Sequence, residues 1–126
     1  MKKQEKGQSL IEVLVALALV VLVILALIAV TTISVRNATF AKNQSLATNY
    51  AQEAIEGARE LRDSDKETFF TNDDAPCDKT DSISPFELTR ECNLVGSDKM
   101  TILVTVTWTD AKGDHKSELY TELTKW

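Results

Sequence analysis

Polar and apolar residues follow three different patterns along this chain. Residues 1–7 (MKKQEKG) carry no apolar side chain after the initial Met. Val13 to Val30 is then an unbroken run of 18 apolar residues. As a helix rising about 1.5 Å per residue, such a run spans about 27 Å, near the thickness of a bilayer core. Its Leu and Ala favour helix, its Val and Ile are tolerated there in lipid, and neither Gly nor Pro interrupts it. Past the run the pattern becomes periodic. Ala47, Tyr50, Ala51, Ala54, Ile55, Ala58 and Leu61 recur every three or four residues, an apolar stripe on an otherwise polar helix. Arg59 and Arg62 fall in the last turns, where cations complement the helix dipole. Gly57 interrupts the stripe at a cost of about 1 kcal/mol. The pattern predicts one helix from Ser9 to about Asp63.

The period then changes. Ser64 to Ser84 is charged and turn-rich, with Asn72, Asp73, Asp74 and Pro76, and reads as a loop whose Phe69 and Phe70 pack back on the helix. Pro85 to Leu94 alternates as a strand. Met100 to Thr109 is the clearest strand, with Met100, Ile102, Val104, Val106 and Trp108 on one face and threonines on the other. Asp110 to Asp114 reads as a hairpin turn with Gly113 at positive φ, and Lys116 to Lys125 as the returning strand. Three antiparallel strands across the helix stripe bury both apolar faces and predict an α+β, ladle-shaped fold. The segments are a leader (1–7), a membrane or filament-core helix (8–35), an amphipathic stalk (36–63) and a β-rich head (64–126).

Charge sharpens this division. The net charge is −5, but Lys2, Lys3, Glu5 and Lys6 make the leader +2, so the rest carries −7. An acidic body argues against direct nucleic-acid binding, which needs a basic face. Lysines ahead of the apolar run place the N-terminus in the cytoplasm and everything after about Val35 outside it. A head of about 60 residues has a marginal core, for which a covalent staple is a usual remedy. Cys77 and Cys92 are available, and outside the reducing cytosol a bond between them persists.

Little else points to chemistry. His115 is the one histidine and is expected to be an exposed turn residue; no phosphate loop, nucleophile–base set or Cys/His metal spacing accompanies it, so no enzyme is expected. Asp73, Asp74, Asp78 and Asp81 crowd one loop with oxygen ligands of the kind that suit Ca²⁺, without EF-hand spacing. Asn37-Ala38-Thr39 and Asn43-Gln44-Ser45 match a glycosylation acceptor pattern but fall on the predicted stalk.

The informative segment is Gly7-Gln8-Ser9-Leu10-Ile11-Glu12-Val13. Glu12 admits three readings. With Ser9 it completes an S-x-x-E capping box at a helix start. It also suits an interfacial residue of a plain signal anchor. Third, cleavage after Gly7 frees an α-amine on Gln8, and Glu12 pairs with that amine on a neighbouring subunit. A carboxylate in hydrocarbon costs a few kcal/mol unless paired, which favours a functional role.

The segment GQSLIEVLVALALVVLVILALIAV resembles the N-terminus of the type IV pilin and type II secretion pseudopilin superfamily. That family has a short basic leader ending in Gly and a Glu at the fifth position of the mature chain, and Glu12 is fifth counting from Gln8. The resemblance implies cleavage between Gly7 and Gln8 by a prepilin peptidase, N-methylation of Gln8, and subunit assembly through Glu12. It also implies partnership with other pilin subunits, an assembly platform and an ATPase, moving the chain from the cytoplasmic membrane into an extracytoplasmic filament. The family most often has Phe where this chain has Gln8, and many major pilins carry Gly and Pro in the membrane segment, which this chain lacks. The stretches AQEAIEGARELRD and VTVTWTDAKGDHKSELYTELTKW are similar to minor pilin-like subunits. Two alternatives share the apolar run: a signal peptide ahead of a soluble domain, and a single-pass anchored protein that does not polymerise.

Overall fold

A computed structural model describes residues 5–71 and 77–126, with side chains described from Ser9 onward. Its elements are α1 (Glu5–Ser64), α2 (Lys66–Phe69), β1 (Lys79–Ile83), β2 (Phe86–Val95), β3 (Lys99–Asp110) and β4 (Gly113–Thr124). The chain divides into two units, Met1–Ala41 and Lys42–Trp126.

Among the described residues the first unit contains only the first part of α1. From Leu10 to Val35 its large apolar side chains stand open on every side, from 50% exposure at Ile24 to 65% at Leu10 and Val30. Three hydroxyls that follow the apolar run bond back within the helix. Thr31 donates to the Leu27 carbonyl (2.8 Å), Thr32 to that of Ile28 (2.9 Å) and Thr39 to that of Val35 (3.0 Å). Such back-bonding satisfies these three donors without water, which suits a helix leaving hydrocarbon.

The second unit is the α+β head. The later part of α1 lays Ala47, Ala51, Ile55 and Ala58 against an antiparallel sheet of order β1-β2-β3-β4. Three of those four residues are alanines, which lets the helix approach the sheet closely. The opposing face comprises Phe86, Leu88 and Cys92 of β2, Leu123 of β4, and Met100, Ile102, Val104, Val106 and Trp108 of β3. These five β3 residues are the ones the alternating pattern places on one face, and all are 2% exposed or less. Tyr50 meets Phe86 edge-on at 5.5 Å, and Phe86 in turn meets Trp108 at 5.9 Å.

Four features depart from the sequence pattern. First, α1 begins by Glu5, so Ser9 lies inside the helix and is not its N-cap. The polar leader continues the helical turn instead of breaking it. Second, the predicted loop contains α2, capped by Asp65, whose carboxylate accepts from the Thr68 amide (3.1 Å) and hydroxyl (2.6 Å). This turn delivers Phe69 and Phe70 into the core, 2% and 7% exposed. Third, the sheet has four strands instead of three. β1 pairs with β2 from Lys79↔Arg90 to Ile83↔Phe86. Its sequence, KTDSI, is mostly polar because it is an edge strand with largely exposed side chains, so hydrophobic alternation cannot reveal it. A cis Ser84–Pro85 bond joins it to β2. Fourth, β4 starts at Gly113, three residues earlier than the pattern indicates. A two-residue turn, Ala111-Lys112, leaves Gly113 at φ +118° to open the return strand, and the Lys112 amide donates to Asp110 Oδ1 (2.7 Å).

Candidate functional site

The residues with predicted roles fall in two places. Gly7, Gln8 and Glu12 all lie on α1. Four residues separate Gln8 from Glu12, about 6 Å of helix, so the backbone nitrogen of Gln8 and the Glu12 carboxylate sit on one face. Glu12 is exposed at the foot of the bare apolar surface. The helix from Ser9 is long and apolar enough to cross a membrane, and none of its most apolar stretch is buried. A continuous surface of this kind needs lipid or other protein to cover it. Of the readings of Glu12, the capping box loses its geometric basis because the helix does not start at Ser9. The two in which Glu12 lies at a membrane or subunit boundary keep theirs.

The second place is in the head, around the disulfide. Cys77 and Cys92 are bonded, with their Cα atoms 5.8 Å apart. Beside them lies Arg90, 5% exposed, which the sequence reading treats only as a member of an alternating strand. Its Nε donates to the Cys77 carbonyl (2.6 Å) and its Nη1 to the Ala54 carbonyl of α1 (2.7 Å). Asp78 completes the cluster by accepting from the Cys92 amide (2.7 Å). Burial draws the Arg90 pKa below its ordinary value, and the Asp78 carboxylate opposes that shift. One guanidinium thus ties the helix, β2 and the disulfide loop together. Gly57 makes the room: a Cβ there would stand 3.3 Å from Arg90 Nη1. The signal available in the sequence was a cation in the apolar row Phe86, Leu88, Arg90, Cys92, with a helix glycine to receive it.

The remaining predicted residues are not brought together. Asp73 and Asp74 lie outside the described residues. Asp78 is engaged with the Cys92 amide, and Asp81 pairs with Lys79 (3.1 Å). Among the described residues no three metal-ligating side chains converge. His115 is not an exposed turn residue. It lies in β4, its side chain 22% exposed, stacked on Trp108 at 5.5 Å with Nε2 2.9 Å from Asp110 Oδ1. The reason is the short turn, which puts His115 in register with Trp108 on the helix-facing side of the sheet. Asn37 and Asn43 both fall on α1, as the sequence indicates.

An apolar helix needing cover, followed by a disulfide-stapled α+β head, is the arrangement expected of an anchored protein. Comparison with known families is more specific. Residues 2–33 match the prokaryotic N-terminal methylation motif, the signature of type IV pilins and pseudopilins. The matched segment takes in the basic leader, Gly7, Gln8, Glu12 and the whole apolar run. No curated protein and no solved structure matches the chain significantly. The motif lies over the part of α1 that is long and apolar enough to cross a membrane.

Proposed function

We propose that the chain is a structural subunit of a type IV pilus or type II secretion-type filament, cut between Gly7 and Gln8 and assembled through α1. The observation that carries this reading is a coincidence of position. The methylation motif ends at residue 33, and the large apolar side chains that stand exposed on α1 fall almost wholly within it. After cleavage the new amine on Gln8 is the natural partner for Glu12 of an adjacent subunit. An amine–carboxylate pair removes the cost of burying either charge and sets the register between helices. N-methylation of Gln8 is part of the same proposal, and the motif supports it. A prepilin peptidase, an assembly platform with its ATPase and other pilin subunits are the partners this role requires. The likeness of the ending to minor pilin-like subunits supports a minor rather than a major role.

Glu12→Leu tests the role of the pair. The variant is expected to insert in the membrane and to be cleaved normally, yet to be lost from sheared filament fractions. Wild-type levels of the variant in those fractions would contradict the assembly role.

A further inference from the structure

β4 ends the sheet, and among the described residues β3 is its only strand neighbour. Its register with β3 runs unbroken from Asp110↔Gly113 to Lys99↔Thr124, with no bulge and no proline. The ladder continues one step further, where the Lys125 amide donates to the Asp98 carbonyl (2.8 Å). Backbone groups of successive residues in an antiparallel strand point alternately to either side. Lys125 therefore sets the parity. Odd-numbered residues of β4 bond to β3, while Asp114, Lys116, Glu118, Tyr120, Glu122 and Thr124 aim their backbone groups away from it. Sheets normally guard such an edge. The opposite edge is guarded: β1 is five residues long, carries Lys79 and Asp81, and its Ser82 amide donates to Asp81 Oδ1 (3.0 Å). β4 is twelve residues long with Lys116 as its single lysine.

An antiparallel copy of β4 can meet this edge in few registers, because outward-pointing residues must face each other. With the two-fold axis at Leu119, Lys116 of each copy faces Glu122 of the other, Glu118 faces Tyr120, and Asp114 faces Thr124. No like charges meet. With the axis at Glu118, that residue faces itself and Asp114 faces Glu122. With the axis at Tyr120, Glu118 faces Glu122 twice. Directly opposed like charges destabilise a sheet. Axes further out shorten the overlap, since β4 runs from Gly113 to Thr124. The present partners do not stand in the way. Lys116 pairs with Glu118 (3.0 Å) and Glu122 with Lys99 (2.7 Å), both surface pairs of the kind that exchange readily. The same register gives Tyr120, 62% exposed, a neighbour in Glu118. On the α1 side of the sheet Leu119 is half-buried beside a hollow that Ile55 and Glu56 also line, and the axis brings the second Leu119 against it.

We propose that β4 pairs edge to edge with β4 of a second copy, in the register centred on Leu119, joining two four-stranded sheets into one. Such a contact is isologous and closes at two copies. Its axis stands perpendicular to the sheet and so reverses the part of α1 that packs on it. The two heads point in opposite directions. This sets the contact apart from any array of like-directed chains and makes it independent of the filament reading.

Leu119→Cys in the full chain, purified in detergent and exposed to a mild oxidant, tests the register. Facing residues of this kind have Cα atoms about 4.5 Å apart, within reach of a disulfide. Glu118 and Tyr120 lie diagonal to their own copies at about 7–8 Å, beyond that reach. Peptide mass spectrometry should locate a bond between the two introduced thiols for Leu119→Cys, and roughly ten-fold less for Glu118→Cys or Tyr120→Cys. Sedimentation of the oxidant-free chain in the same detergent supplies the second arm. Lys116→Glu should weaken the dimer at least about ten-fold, because it then faces Glu122, and adding Glu122→Lys should restore it. A chain that stays monomeric, linkage through position 118 or 120 as strong as through 119, or charge changes without effect would overturn the pairing. None of these results bears on the filament reading, which its own test decides.

Discussion

Arg90 is the residue on which the head's internal order most depends, because it is a nearly buried cation whose donors hold two separate segments of backbone. Arg90→Ala removes those bonds and leaves a cavity, so unfolding of the head in detergent should show a loss of about 3 kcal/mol. Arg90→Met keeps much of the apolar stem and should lose less. Gly57 provides the converse test. In an open helix Gly→Ala gains about 1 kcal/mol. Here the new methyl meets a guanidinium already fixed by two hydrogen bonds, so Gly57→Ala should give no gain. A rise of about 1 kcal/mol in that variant would show that Arg90 is free to move. At this scale the sequence was only partly legible. Met100 to Trp108 announced their burial by alternation. Arg90 was hidden because a charged residue in a strand normally marks the solvated side, and His115 because its place beside Trp108 depends on a turn three residues shorter than the polar stretch implied.

Among the elements, α1 and β3 were readable from period alone, since a long periodic segment fixes both its type and its buried face. β1 was not readable: five mostly polar residues become a strand only because β2 offers them an edge. The helix–sheet contact makes its own demand, for small side chains. Ala51 is fully buried. Ala51→Leu should overpack that contact and destabilise the head by about 1–3 kcal/mol, measurable by chemical denaturation. The disulfide is the other constraint at this scale, spanning 15 residues between the strand-preceding loop and β2. Reducing it should lower stability by about 3 kcal/mol on the chain-entropy model, seen as an earlier thermal transition in the presence of a reductant.

For the whole molecule, pH offers a further test of the surface ion pairs. Several exposed carboxylates are held below their ordinary pKa: Asp63 by a hydrogen bond from Arg62, Asp65 by one from Thr68, Asp110 by His115, and Glu122 by Lys99. A depressed folded-state pKa gives stability that is present above the unfolded value, about 4, and is lost as pH falls through the lower folded value. The head's melting temperature should therefore hold from neutral pH to about 4 and decline below it. Lys99 shifts upward through Glu122, so its contribution is complete below its unfolded value and is lost as pH rises through the higher folded one. A melting temperature that rises on acidification from pH 4 to 2 would contradict these pairs.

The apolar helix was the most legible feature of all, because it is written in hydropathy, and beside it stands the fixed spacing of Gly7, Gln8 and Glu12. The central claim is that this spacing is a processing and assembly signal. Intact-mass measurement of the chain co-expressed with a prepilin peptidase tests it most directly. The expected product begins at Gln8, seven residues shorter than the full chain, and carries one added methyl group on its new amine. A mass that retains Met1 to Gly7, or a cut beyond Val30, would contradict it.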